Sequence, residues 1–234
     1  TDFKKDFVYF FVLPPAQEEY LPHGHYSGFV LKLDLFLRAA KIPFEMRPSQ
    51  TPGPKGKWPF IELNGQEYAD TTLIVAQLSR HFNVNLDAGL NSKEVALGTA
   101  WQRVAENSLY WTIVYQRWTD CWASTREFVF QGVPSGTAEY IRKGMTDQQY
   151  QVGIGRMTSE EVVLLGRQDL DAIATFLVHR PATYLLADTI TTFDCSLFAM
   201  LCNLINMPYV HPLVTYARSL KPVTEYVDAI LDIG

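Results

Sequence analysis

Hydrophobic spacing changes along this chain, and each change predicts an element. Phe7 to Leu13 is a continuous apolar run, Phe-Val-Tyr-Phe-Phe-Val-Leu, stopped by Pro14-Pro15. Rich in aromatic and β-branched residues, it predicts a strand buried on both faces. Residues 16–25, holding Pro22 and Gly24, read as a loop. From Ser27 to Lys41 the spacing turns helical. Phe29, Leu33, Phe36, Leu37 and Ala40 form an apolar stripe opposite Asp34, Arg38 and Lys41. Pro43 ends that helix, and Phe44 to Arg47 reads as a second short strand.

After a Pro-, Gly- and Lys-rich loop from Pro48 to Lys57, Phe60–Leu63 and Gln66–Ala69 flank Asn64-Gly65. That dipeptide between two short strands is a strong hairpin signal. Asp70-Thr71-Thr72 then offers N-cap side chains for a helix running to about His81. Strand-helix-strand followed by hairpin and helix is the thioredoxin-like order.

No strand pattern recurs beyond Asn83 to Gly89, which reads as a linker. Asn91 with Glu94, Thr158 with Glu161, and Thr191 with Asp194 each pair a capping side chain with a carboxylate three residues on. The first box opens a helix reaching about Trp122. The second opens one with Leu164, Leu165, Leu170, Ile173, Phe176 and Leu177 as its buried face. The third precedes Cys195 to Leu201, and a last helix follows His211-Pro212. The expected organisation is a thioredoxin-like α/β domain over residues 1–84 and an all-α helical bundle over residues 85–234.

Composition narrows the function classes. Hydrophobic residues make up 47% and charged residues 19%, enough for packed cores. A formal net charge of -5 leaves no basic excess for nucleic acid. Cys121, Cys195 and Cys202 follow neither a zinc nor a redox spacing and read as small buried hydrophobes in a reducing compartment. No apolar run reaches membrane-span length, so a cytoplasmic chain with no transmembrane segment is expected.

Trp58-Pro59, the hairpin and Ala69-Asp70-Thr71 resemble the glutathione-binding signature of glutathione transferases. The resemblance implies a cis-proline at Pro59, a backbone contact from Trp58 to the cysteinyl part of glutathione, and capture of the γ-glutamyl end by Asp70 and Thr71. Ala187-Asp188 with Thr191 to Asp194 is similar to the superfamily's later Gly-Asp and capping box, with alanine for glycine. Ser27 to Asp34, Leu86 to Leu90, Ser108 to Trp118 and Gly153 to Glu161 resemble the branch of failed-axon-connections and metaxin-like proteins. Gly28 stands where that branch has proline, and Met157 where histidine often stands. A homodimer is implied as well.

The implied chemistry is glutathione acting on a small hydrophobic electrophile. Ser27, opening the first helix, is the candidate thiolate stabiliser, because a hydroxyl and a helix N-terminus both favour a thiolate. Plain N-capping is its competing role. Tyr9 and Tyr26 are weaker candidates, Tyr9 reading chiefly as core. Asp70 and Thr71 also admit simple capping. Trp111, Tyr115, Trp118 and Trp122 step by four, three and four; they read as helix packing, with Trp111 and Tyr115 the candidates to wall the electrophile pocket. His23 and His25 read as a solvated loop, with no metal site expected, and Arg156 as a loop anchor. The alternatives to an enzyme are a non-catalytic adaptor of the same fold and a carrier of hydrophobic ligands.

Overall fold

The computed structural model describes residues 3–13 and 25–231. The loop expected before Ser27, with His23, lies almost wholly outside them. Strands β1 (Val8–Val12), β2 (Phe44–Pro48), β3 (Phe60–Leu63) and β4 (Gln66–Ala69) form one sheet in the order β2-β1-β3-β4. β1 runs parallel to β2 and antiparallel to β3, and β4 is antiparallel to β3. The β1 side chains Val8, Tyr9, Phe10 and Val12 are all buried, as a strand covered on both faces requires. Asn64 and Gly65 both take positive φ, the geometry of a tight primed hairpin turn.

Helices α1 (Gly28–Ala39) and α2 (Thr71–Phe82) complete this half. α1 is buried almost all round, packed against α8 (Thr192–Ile205) and sharing one apolar core with the strands. Asp34 and Arg38 share its polar edge, paired at 2.9 Å. All the described strands end by Ala69, and every described element after α2 is helical. The connecting segment is tied down: Asp87 accepts from the Thr192 amide at 2.8 Å and the Thr192 hydroxyl at 2.6 Å.

The helix opened at Asn91 is present but not uniform. α3 (Ser92–Arg103) passes into a π-helical turn, Val104–Leu109, then α4 (Tyr110–Tyr115) and a second π turn, Gln116–Asp120. A bend at Cys121 leads to α5 (Trp122–Val129). α6 (Ser135–Val152) has no counterpart in the sequence reading. α7 (Ser159–His179) opens with the second capping box and α8 with the third; all three boxes make both reciprocal bonds. The single helix expected after His211-Pro212 is two, α9 (Pro212–Ser219) and α10 (Lys221–Leu231), parted at Leu220.

One packing expectation is corrected. Leu164 and Leu165 are exposed, because the α7 core face runs through Val162, Gly166, Leu170, Ile173 and Leu177, about half a turn away. Close approach also marks two glycines. A Cβ at Gly98 would lie 2.3 Å from the buried Phe193 ring, whereas one at Gly28 would meet Met200 Sδ, at the far end of a flexible side chain, at 2.8 Å. The cysteines are free thiols, and burial pushes Cys202 up to about 11. No helix among the described residues is long and apolar enough to cross a membrane.

Candidate functional site

Sheet register gathers the predicted residues at one end. Phe11, near the end of β1, pairs with Phe60 at the start of β3, and Phe60 pairs with Ala69 at the end of β4. Pro59 precedes that row, Asp70 follows it, and α1 starts beyond the same end of β1. The Trp58–Pro59 bond is cis. Pro59 is buried and Trp58 half-buried, its indole N–H without a hydrogen-bond partner among the described residues.

Asp70 is the N-cap of α2, at φ 78°. Positive φ is uncommon for a residue with a side chain and is often kept at functional sites. Both capping bonds, from the Thr72 and Leu73 amides, end on Oδ1 at 3.1 and 3.2 Å. Oδ2 has no hydrogen-bond partner among the described residues. Thr71 is buried beside it.

Ser27 occupies the N-cap position of α1 in an extended conformation, yet its hydroxyl makes no capping bond. The peptide before it is held at both ends. The Ser27 amide donates to His25 Nδ1 at 3.0 Å, and the Tyr26 carbonyl accepts from Arg117 Nη1 at 2.5 Å and Asn203 Nδ2 at 2.8 Å. His25 is therefore not a solvated loop residue: it is 6% exposed, its Nε2 bonded to the Leu13 carbonyl at 3.1 Å. Tyr9 is core, its hydroxyl accepting from the Lys4 amide at 3.0 Å. Arg156 anchors the turn after α6 by stacking over the Tyr150 ring.

Burial holds His25 down from 6.5 to about 4, keeping it neutral. A group with a depressed folded pKa stabilises the fold above its unfolded value, and that contribution fades as pH falls toward the folded one. Stability should decline by ~3 kcal/mol between about pH 6.5 and 4, and the decline should be largely lost in His25→Gln. Urea midpoints measured across that range check it; parallel pH profiles for the two proteins would refute it.

Trp111 and Tyr115 sit elsewhere. Tyr115 packs on Ile154 and Val162, its hydroxyl donating to the Met157 carbonyl at 3.1 Å. Trp111 lines a cavity of about 250 Å³ with Ser108, Val152, Leu165 and Asp169. Its lining comes from α4, α7, the turns before them and the end of α6, with no residue from the sheet half. The ring of the long helix that meets α1 is Tyr110, 4.9 Å from Phe29. The sequence alone reads His25 as a solvated loop residue and gives Arg117 no role. Arg117 lies seven residues after Tyr110, a spacing close to two helical turns, and that spacing was the one signal for it.

Comparison with known proteins agrees with this architecture. Residues 28–123 match the family described as the glutathione S-transferase N-terminal domain, and residues 166–230 its C-terminal domain. The chain belongs to the glutathione transferase superfamily. It is 27% identical over 220 residues to the isoprene-epoxide glutathione S-transferase of Rhodococcus sp. strain AD45, covering 87% of this chain and 91% of that protein. It is 28% identical over 246 residues to Failed axon connections of Drosophila melanogaster, covering 95% of this chain but only 56% of that protein. The crystal structure of glutathione transferase GSTFuA3 from Phanerochaete chrysosporium has the same fold, with TM-score 0.68 and 14% identity over 99% of this chain and 98% of that one.

Proposed function

We propose that this chain is an enzyme that binds glutathione and adds its sulfur to a small hydrophobic electrophile. The observation that carries this reading is a helix-opening serine whose hydroxyl caps nothing, at the sheet end that also bears Asp70 with a free Oδ2. A carboxylate there suits the γ-glutamyl ammonium, and the α2 N-terminus beside Thr71 suits its carboxylate. The Trp58 backbone next to the cis-proline is the proposed cysteinyl contact. The Rhodococcus relative is named for an epoxide, so epoxides are the electrophiles to try first. In that step the thiolate sulfur bonds to a ring carbon, the C–O bond breaks, and the oxygen takes a proton. The protein contributes proximity and a lowered thiol pKa.

Calorimetry with glutathione tests the reading. Asp70→Asn keeps a capping acceptor but loses the charge, so glutathione affinity should fall about tenfold with little change in melting. Ser27→Ala should retain affinity while slowing conjugation. No binding by the unmodified protein at millimolar glutathione would overturn the transferase and leave the adaptor reading.

A further inference from the structure

The two π turns each carry one buried charge. Glu106 in the first, 7% exposed, meets Lys32 at 2.6 Å. Arg117 in the second is equally buried, yet no carboxylate among the described residues pairs with it. Nη1 donates to the Tyr26 carbonyl, and Nη2 to Asn203 Oδ1 at 2.8 Å and Met207 Sδ at 3.2 Å. Nε has no partner. The titratable groups facing the guanidinium are His25 and Tyr26 before α1, Tyr110 on its own helix and Tyr209 before α9. All four are neutral at pH 7. A guanidinium keeps its proton in proteins, and an unpaired buried charge is costly. π turns recur at functional sites because the extra residue re-aims a side chain.

Resting on the glutathione reading above, we propose that Arg117 is a positioning residue for the sulfur of bound glutathione. Its grip on the Tyr26 carbonyl fixes the peptide that presents Ser27. Its charge, which no carboxylate among the described residues neutralises, lies one peptide away and stabilises a thiolate at the Ser27 hydroxyl. In a poorly solvated setting such a charge acts more strongly than in water. The anion would be the counter-charge that no described residue provides.

The test uses Asn203→Asp, which places a carboxylate on Nη2 and so neutralises Arg117 internally, with Arg117→Met and Arg117→Lys beside it. Glutathione binding is read by calorimetry, the bound thiol by its ultraviolet thiolate band across pH, and folding by melting. Asn203→Asp and Arg117→Met should bind glutathione with about tenfold less thiolate at neutral pH, equivalent to a thiol pKa raised by about one unit. Arg117→Lys should restore most of it. Asn203→Asp binding glutathione with an unshifted thiol titration would overturn the role of Arg117 and leave the glutathione reading intact. No binding by the unmodified protein would overturn both.

Discussion

Lys32→Met is expected to lower the unfolding free energy by about 3–5 kcal/mol, although it replaces a charge by an apolar side chain in a buried place. The ammonium is 2% exposed and lies 2.6 Å from Glu106 Oε1 and 3.0 Å from Thr72 Oγ1. Gln102 Nε2 closes the network, reaching Thr72 Oγ1 at 3.4 Å and Glu106 Oε1 at 3.3 Å. Removing Lys32 strands a carboxylate between α1 and the long helix, and stranding a charge costs more than losing the pair. The combination Lys32→Met with Glu106→Leu should recover most of the loss. Urea unfolding of the three proteins decides it: a single variant within about 1 kcal/mol of the parent would mean that water reaches Glu106. Because Thr72 follows Asp70 and Thr71, the single variant should also loosen the proposed glutathione contact.

Asp194→Ala should be comparably severe, lowering the melting temperature by about 10 °C. The carboxylate is fully buried. Oδ1 accepts from the Leu185 amide and the Tyr226 hydroxyl, both at 2.8 Å. Oδ2 accepts from the Thr191 amide at 2.9 Å and the Thr191 hydroxyl at 2.6 Å. Burial and the neighbouring carboxylate push Tyr226 far above its usual range, so its hydroxyl remains a donor. One side chain thus joins the α8 cap, the preceding loop and α10. Thr191→Ala removes only the cap and should cost about 0.5–2 kcal/mol. Equal melting losses from the two variants would show that Asp194 matters only as part of the capping box.

The sheet half was legible in the sequence because its signals are local: an apolar run, a helical stripe, Asn-Gly, and a Trp-Pro before the hairpin. Capping boxes were legible for the same reason. α6 was not, since it buries only Ala138 and Gln149 and its cap position is Pro134, leaving neither stripe nor capping side chain to read. The long helix misled differently. Counting by fours and threes put Trp111, Tyr115, Trp118 and Trp122 together, but the π turns break that phase. Trp118 and Trp122 pack with Phe130 and Ala138, whereas Tyr115 packs with Ile154 and Val162. Of the residues proposed for the site, Ser27 and Asp70 stand at helix N-cap positions and the bond before Pro59 is cis. Arg117 was missed because only its spacing from Tyr110 marked it, and His25 was misread because its Pro- and Gly-bearing loop pointed to solvent.

Gly28 departs from the proline of its motif, and its contact carries a consequence for descent. A side chain at position 28 and the thioether of Met200 compete for one space, where an added Cβ would stand 2.8 Å from sulfur. A side chain at position 28 therefore requires the Met200 thioether to turn aside. Relatives with proline or alanine at the first should carry a smaller or differently turned residue at the second, and a graft of proline here should be easier when Met200 is shortened as well.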